Sequence, residues 1–113
     1  MIYELAKKLK DTGFPQEGFF KWCNLGTINK VFCRFCLSER DFGSYEILCA
    51  DPTLSELIEA CGGNDSDNHF YLDFENGMYE ARLVTEKNTV GIGCSYEEAV
   101  ANLWLKLQNK TDN

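Results

Sequence analysis

The sequence predicts an α+β fold in which an antiparallel three-stranded sheet carries helices on one face. Two stretches combine apolar residues at helical spacing with a capping box, Thr53-Leu54-Ser55-Glu56 and Ser95-Tyr96-Glu97-Glu98. Between them, apolar and polar residues alternate on both sides of Asn76-Gly77, which is typical of a β-hairpin. The predicted order is therefore helix, β-rich insertion, helix, three strands, helix.

The first predicted element is an amphipathic helix at the start of the chain. Gly13, followed by Phe14-Pro15, ends it. Its apolar positions recur at i, i+3, i+4 and i+7, so they share one helix face: Ile2, Leu5, Ala6 and Leu9.

Residues 19–50 are predicted to form a β-rich insertion. This stretch is rich in aromatic and β-branched residues that are interrupted by Gly, Asn and Ser, a composition typical of short strands joined by turns. Such a short segment buries little apolar surface, so we expect a further constraint to fix it.

The remaining elements form the predicted core at 53–107. The second helix ends at Gly62-Gly63, and its apolar positions repeat the helical spacing: Leu54, Leu57, Ile58 and Cys61. A two-residue loop at Asn76-Gly77 would place Phe74 opposite Tyr79, Leu72 opposite Ala81 and Phe70 opposite Leu83. A third strand is expected at roughly 89–93, and a last helix is expected to begin directly after Ser95. We expect residues 1–113 to form a single domain.

The charge of the chain disfavours several functions. It has 11 basic and 18 acidic residues, a net charge of -7 and a pI near 4.6. A chain this acidic cannot release counterions over a broad face, which argues against general nucleic-acid binding, and an anionic membrane would repel it. No signal peptide and no run of about 20 apolar residues is visible, so we expect a cytoplasmic protein with reduced thiols.

Four of the six cysteines are candidate zinc ligands. Cys33 and Cys36 form a C-x-x-C pair, a spacing at which a tight turn can direct two thiolates at one ion. Cys23 precedes this pair by ten positions and Cys49 follows it by thirteen, so flanking strands could bring both alongside. Four thiolates would complete the tetrahedral shell of a structural zinc ion, which would stabilise the insertion. A redox dithiol and inert buried thiols are the alternatives.

The acidic residues of the hairpin are a candidate partner surface. Asp73, Glu75 and Glu80 are expected to share the face opposite the apolar one, with Asp73 directly across from Glu80. This face is either a solvated surface or one that presents carboxylates to a basic protein partner. A second candidate surface is formed by aromatic residues of the insertion, which alternatively pack against the main sheet: Trp22, Phe35 and Phe42.

Other reactive side chains are expected to have structural roles. His69 is predicted to lie at the surface or at the end of a strand, with a zinc ligand as the alternative, and Cys61 and Cys94 to be small buried residues. No general acid, base and nucleophile occur together at a recognisable spacing, so the sequence predicts no enzymatic activity.

The order of elements in the last half of the chain resembles the double-stranded-RNA-binding domain. The stretch Gly91-Ile92-Gly93-Cys94-Ser95-Tyr96-Glu97-Glu98-Ala99 contributes to this resemblance. In that family the last helix opens with lysines that contact phosphates. Here Glu97 and Glu98 stand in that turn, and the first lysine of the helix is Lys106. The resemblance thus implies the fold and not the RNA-binding function.

Three further blocks, at 5–15, 52–62 and 97–107, resemble small phage and prophage proteins. Small acidic phage proteins are often inhibitors of host defence. The resemblance therefore implies an inhibitor of a host defence or nucleic-acid-handling protein, such as a CRISPR effector, that acts through protein contact. With the predicted zinc site and the absence of a recognisable catalytic set, the sequence predicts a non-enzymatic, zinc-containing binding module. The alternative is a nucleic-acid-binding or nuclease-associated zinc protein.

Overall fold

The computed structural model describes residues 3–17, 20–24, 32–36, 46–62, 70–83 and 89–111, with 23–24, 32–36, 46–47 and 110–111 described by their backbone alone. These residues form α-helices and two antiparallel three-stranded sheets, so the predicted α+β class is confirmed. The chain divides into two compact units, Met1–Pro52 and Thr53–Asn113. The second unit begins where the predicted core begins, and the single-domain organisation of the chain stays a prediction.

The first unit contains helix α1 (Tyr3–Asp11) and strands β1 (Phe20–Asn24), β2 (Phe32–Cys36) and β3 (Glu46–Ala50). Strand β1 lies between β2 and β3 and is antiparallel to both. Helix α1 buries Ala6 and Leu9 and ends at Asp11. Two residues later the chain turns at Gly13, whose φ of 100° is accessible mainly to glycine.

Polar side chains fix the backbone of the first unit. Lys10 of α1 donates from Nζ to the carbonyl of Leu48, at 2.6 Å. The side-chain Oε1 of Gln16 accepts from the amide of Ala50 at 2.7 Å, and the backbone carbonyl of Gln16 accepts from Nζ of the buried Lys21. These bonds satisfy backbone groups that would otherwise need water.

The second unit contains helix α2 (Leu54–Ala60), strands β4 (Phe70–Glu75), β5 (Met78–Leu83) and β6 (Val90–Gly93), and helix α3 (Tyr96–Thr111). The predicted capping box of α2 is confirmed. The Thr53 hydroxyl accepts from the amide of Glu56 at 3.2 Å, and the Glu56 carboxylate accepts from the amide of Thr53 at 2.8 Å. At the start of α3, Ser95 Oγ accepts from the amide of Glu98, while the Glu98 carboxylate accepts from the amide of Cys94.

The β4–β5 hairpin has the predicted register. Phe70 pairs with Leu83, Leu72 with Ala81 and Phe74 with Tyr79. The loop residues Asn76 and Gly77 have φ values of 54° and 79°, as a type I′ turn requires. Strand β6 pairs with β5, which lies at the centre of the sheet.

Helix α3 packs closely on β6 because glycines face it. A Cβ atom at Gly91 would lie 2.7 Å from Leu103 Cβ, and one at Gly93 would lie 2.7 Å from Glu98 Cβ. Both distances are shorter than carbon contacts allow, so these two positions need glycine for the helix to pack this close to the strand. The helix buries its apolar stripe here, including Val100, Leu103 and Trp104. It also supplies donors to β6, from Asn102 to the carbonyl of Ile92 and from Lys106 to that of Val90.

Candidate functional site

The face of the β4-β5-β6 sheet that points away from α3 carries the acidic residues of the hairpin. Gly91 and its partner Ala81 face the helix, and side chains alternate along a strand, so the positions next to them face the opposite way. Asp73 is the direct partner of Glu80, as predicted. We call this surface the acidic face and define it by its described residues: Tyr71, Asp73, Glu75, Met78, Glu80, Arg82, Val90 and Ile92.

Three carboxylates converge on the acidic face. One carboxylate oxygen from each of Asp73, Glu75 and Glu80 lies within 4.8 Å of the other two. Asp73 and Glu75 are exposed and Glu80 is half-buried. Two like charges at such a distance repel by about 1 kcal/mol in bulk water, and by more where solvent is partly excluded. The cluster therefore carries an unfavourable charge arrangement that an incoming cation would relieve.

Two internal bonds hold part of the cluster in place. Arg82 Nη2 lies 3.3 Å from Glu80 Oε2, although half of the Arg82 side chain remains exposed. Asp73 Oδ1 accepts from the amide of Phe74 at 2.8 Å. Among the described residues of this face, one guanidinium thus stands against three carboxylates, so the face keeps a negative charge.

Exposed apolar side chains flank the carboxylates. The exposed fraction is 56% for Tyr71, 40% for Ile92 and 37% for Met78. An open cavity of about 380 Å³ lies on this face and is lined by Tyr71, Leu72, Asp73, Glu75, Glu80 and Arg82. Carboxylates at the centre and apolar groups beside them match a Lys or Arg side chain, which has a charged head and an apolar stem. Tyr71 adds an aromatic ring that can contact such a cation.

The apolar part of this face was not predicted from the sequence. Tyr71 alternates with Asp73 and Glu75, so the strand pattern already placed it beside them. Met78 and Ile92 follow from the pairing of β5 with its two neighbours, and the β5–β6 register was not predicted.

The backbone register separates the four cysteine positions predicted to bind zinc. Cys23 of β1 is the direct partner of Cys33 of β2, whereas Cys36 lies opposite Phe20 and Cys49 lies opposite Trp22. Since strand positions alternate between faces, Cys23 and Cys33 occupy one face of this sheet, and Cys36 and Cys49 the other. The C-x-x-C pair lies within a strand and not in the tight turn that was expected.

This register does not bring the four positions to one point. For one zinc ion to bind all four cysteines, β2 would have to leave the sheet before the chain reaches Cys36. Cys49 would also have to move across β1. The zinc site thus stays a prediction, and the zinc content of the chain purified without chelator would test it.

The aromatic surface predicted in the insertion is only partly described. Trp22 is half-buried, and its ring meets that of Tyr3 edge to face, with ring centroids 5.8 Å apart. Its indole Nε1 is buried and finds no acceptor among the described residues. Phe35 holds a position in β2 opposite Lys21, and Phe42 lies outside the described residues.

The structure confirms the predicted burial of one of the two remaining cysteines and contradicts that of the other. Cys61 is buried, and its Sγ lies 3.9 Å from the carbonyl of Val100. Burial raises the pKa of the Cys61 thiol to about 12, so it stays protonated at neutral pH. Cys94 is exposed, so its predicted burial is wrong: it precedes the α3 cap, where its side chain is outside the apolar stripe. His69 lies outside the described residues.

Comparison of the chain with known protein families, with curated proteins and with solved structures found no match. The resemblances noted in the sequence therefore stay predictions. Among the described residues, no helix has the length and apolar character needed to cross a bilayer.

Proposed function

We propose that this chain is a non-enzymatic binding module whose acidic face receives a Lys- or Arg-rich surface of a protein partner. The observation that carries the proposal is the convergence of three carboxylates within 4.8 Å on an exposed sheet face. Keeping like charges this close costs folding free energy, and a partner's cation would recover it on binding.

The neighbours of the cluster favour a protein as the partner. Exposed Tyr71, Met78 and Ile92 would lose water contact in the complex, and the carboxylates would supply orientation and a fast association rate. Aromatic residues and Met are enriched at the centre of protein interfaces, where they supply much of the binding energy. A bare metal site would make no use of these side chains.

The arrangement of cations disfavours nucleic acid as the partner. Three of the described lysines are engaged by backbone carbonyls of the chain itself: Lys10, Lys21 and Lys106. The first turn of α3 carries Glu97 and Glu98. Phosphates would meet carboxylates on the acidic face as well, so duplex binding would be repelled.

A more specific form of the proposal is that the partner handles nucleic acid, as a CRISPR effector or another defence protein does. Grooves that bind nucleic acid are lined with Lys and Arg. An acidic surface with apolar flanks could occupy such a groove and thereby exclude the nucleic acid. Zinc has no part in this form of the proposal, because the acidic face contains no cysteine.

Capture of a partner from host lysate, followed by its identification, tests the proposal. The acidic-face variant Asp73→Asn/Glu75→Gln/Glu80→Gln removes three charges and keeps the shapes of the side chains. The matched control Glu4→Gln/Glu17→Gln/Glu59→Gln removes three charges at exposed positions elsewhere. We expect the wild type and the control to capture the same basic protein, and the acidic-face variant to lose it.

Two results would contradict this assignment. Equal capture by both variants would show that the acidic face is not the contact surface, and the absence of any captured protein would count against a binding module. A mobility shift with duplex DNA or RNA that weakens steeply with salt would favour the nucleic-acid alternative.

A further inference from the structure

Among the four cysteines of the first sheet, the backbone register singles out one pair. Cys23 and Cys33 are direct partners in the antiparallel pair of β1 and β2. Direct partners in such a pair have Cα atoms about 4.5 or 5.5 Å apart, depending on the hydrogen-bonding position. Both separations fall within the range of about 4.4–6.8 Å that disulfide bonds span.

The other pairs of these four cysteines do not meet this condition. Cys36 lies opposite Phe20, three positions along β1 from Cys23 and about 10 Å away along the strand. Cys33 and Cys36 are three residues apart in one extended strand, which separates their Cα atoms by about 10 Å. Cys49 lies on β3, and β1 lies between β3 and β2. Cys49 is therefore two strand spacings, or roughly 9–10 Å, from the strand that carries Cys33 and Cys36. Cys23 and Cys49 belong to adjacent strands, but they are not direct partners and their positions lie on opposite faces of the sheet.

We propose that Cys23 and Cys33 are a modification site, at which an intrachain disulfide forms by exchange with a small-molecule disulfide such as oxidised glutathione. One thiolate attacks the glutathione disulfide and releases one glutathione thiol. The second thiolate attacks the mixed disulfide, releases the second glutathione and closes the protein bond. The two protein thiols are oxidised, oxidised glutathione is reduced to two thiols, and the bond ties β1 to β2.

The bond is expected to be reversible. Direct cross-strand partners have Cβ atoms about 4.5–5.5 Å apart, whereas disulfides favour about 3.8 Å, so closing the bond pulls the two strands together. Strained disulfides are more readily reduced than relaxed ones, which is typical of labile and regulatory bonds. The proposal is independent of the acidic face, since all its residues belong to the first unit.

Peptide mapping tests the pairing directly, because trypsin separates the three cysteines concerned. Cleavage after Lys and Arg places Cys23 on peptide 22–30, Cys33 on 31–34 and Cys36 on 35–40. The full chain is incubated with oxidised glutathione, its free thiols are blocked with N-ethylmaleimide, and it is then unfolded and digested without reductant. We expect the main linked product to join 22–30 to 31–34, with the loss of two hydrogen atoms.

The same oxidation in urea supplies the control for the fold. An unfolded chain forms its shortest loop most readily, so the main product there should join 31–34 to 35–40. We expect the ratio of the first linked product to the second to be at least about tenfold higher in the folded chain than in urea. Replacement Cys36→Ser should leave the Cys23–Cys33 product in place, and Cys33→Ser should remove it.

Three outcomes would overturn the proposal. An equal product ratio in buffer and in urea would mean that the register does not select the pair. Linkage of Cys33 to Cys36 in the folded chain would instead indicate a C-x-x-C redox dithiol. Thiols that resist oxidation while the chain holds one zinc ion would identify them as metal ligands.

Discussion

Cys61 illustrates how burial alone changes the chemistry of a side chain. Its apolar position in the α2 stripe predicted burial, and the residue is buried at the end of that helix. Desolvation disfavours the thiolate and raises the thiol pKa from 9.0 to about 12. Cys94, by contrast, lies at a helix boundary, where the helical pattern does not determine which way a side chain points.

The raised pKa of Cys61 predicts a loss of stability at high pH. The folded chain keeps the thiol proton up to about pH 12, whereas the unfolded chain releases it above about pH 9. The free energy of unfolding therefore carries a contribution that is complete below pH 9 and decreases by up to about 1.4 kcal/mol per pH unit above it. Denaturant unfolding of wild type and Cys61→Ala measures this contribution as a difference.

We expect the stability advantage of the wild type over Cys61→Ala to shrink steadily between pH 9 and pH 11. Other titrations in this range cancel in the difference. An advantage that does not change with pH would contradict the burial of a protonated thiol. As a further check, iodoacetamide at pH 8 should modify exposed Cys94 and leave Cys61 unmodified until the chain unfolds.

At the scale of elements, the β4–β5 hairpin and the β1–β2 pair show what a sequence can and cannot specify. In the hairpin, the Asn76-Gly77 turn and the alternating pattern independently require the same register, and it is confirmed. In the first sheet, a C-x-x-C spacing fits a turn and a strand equally well. Strand β3 also carries an irregularity opposite Trp22 and Cys23, which shifts the face of every later position.

The hairpin holds a like-charge pair that its fold does not need. Asp73 lies directly opposite Glu80, and such pairs destabilise a sheet. Replacement Asp73→Asn removes one charge and keeps an oxygen that can accept from the amide of Phe74. We expect the free energy of unfolding to rise by about 0.5 kcal/mol, while partner binding weakens.

Urea unfolding at low and high salt measures this effect. The gain in stability should be largest at low ionic strength, because salt screens the repulsion in the wild type. The control Glu59→Gln changes an exposed carboxylate outside the sheet and should have little effect. A loss of stability in Asp73→Asn would mean that the carboxylate cluster stabilises the hairpin. The presence of the cluster would then be explained by folding, without a binding partner.

At the scale of the whole molecule, the net charge of -7 and the local charge of the acidic face act over different distances. At about 0.01 M salt the Debye length is about 30 Å, so charges across the whole chain attract a basic partner. At about 0.15 M salt it is about 8 Å, and charges near the contact dominate. The overall acidity was evident from composition, whereas the position of the local charge depended on the hairpin register.

This difference in range predicts how the two triple variants behave with a captured partner. Both lose three negative charges, so at about 0.01 M salt both should associate more slowly than the wild type. At about 0.15 M salt the control Glu4→Gln/Glu17→Gln/Glu59→Gln should recover the wild-type association rate. The acidic-face variant should remain slower by about tenfold, because it has lost the charges that meet the partner.

Stopped-flow or surface-based binding measurements at the two salt concentrations give these rates. If both variants recover together at the higher salt, attraction by net charge accounts for the association, and the acidic face has no special part in it.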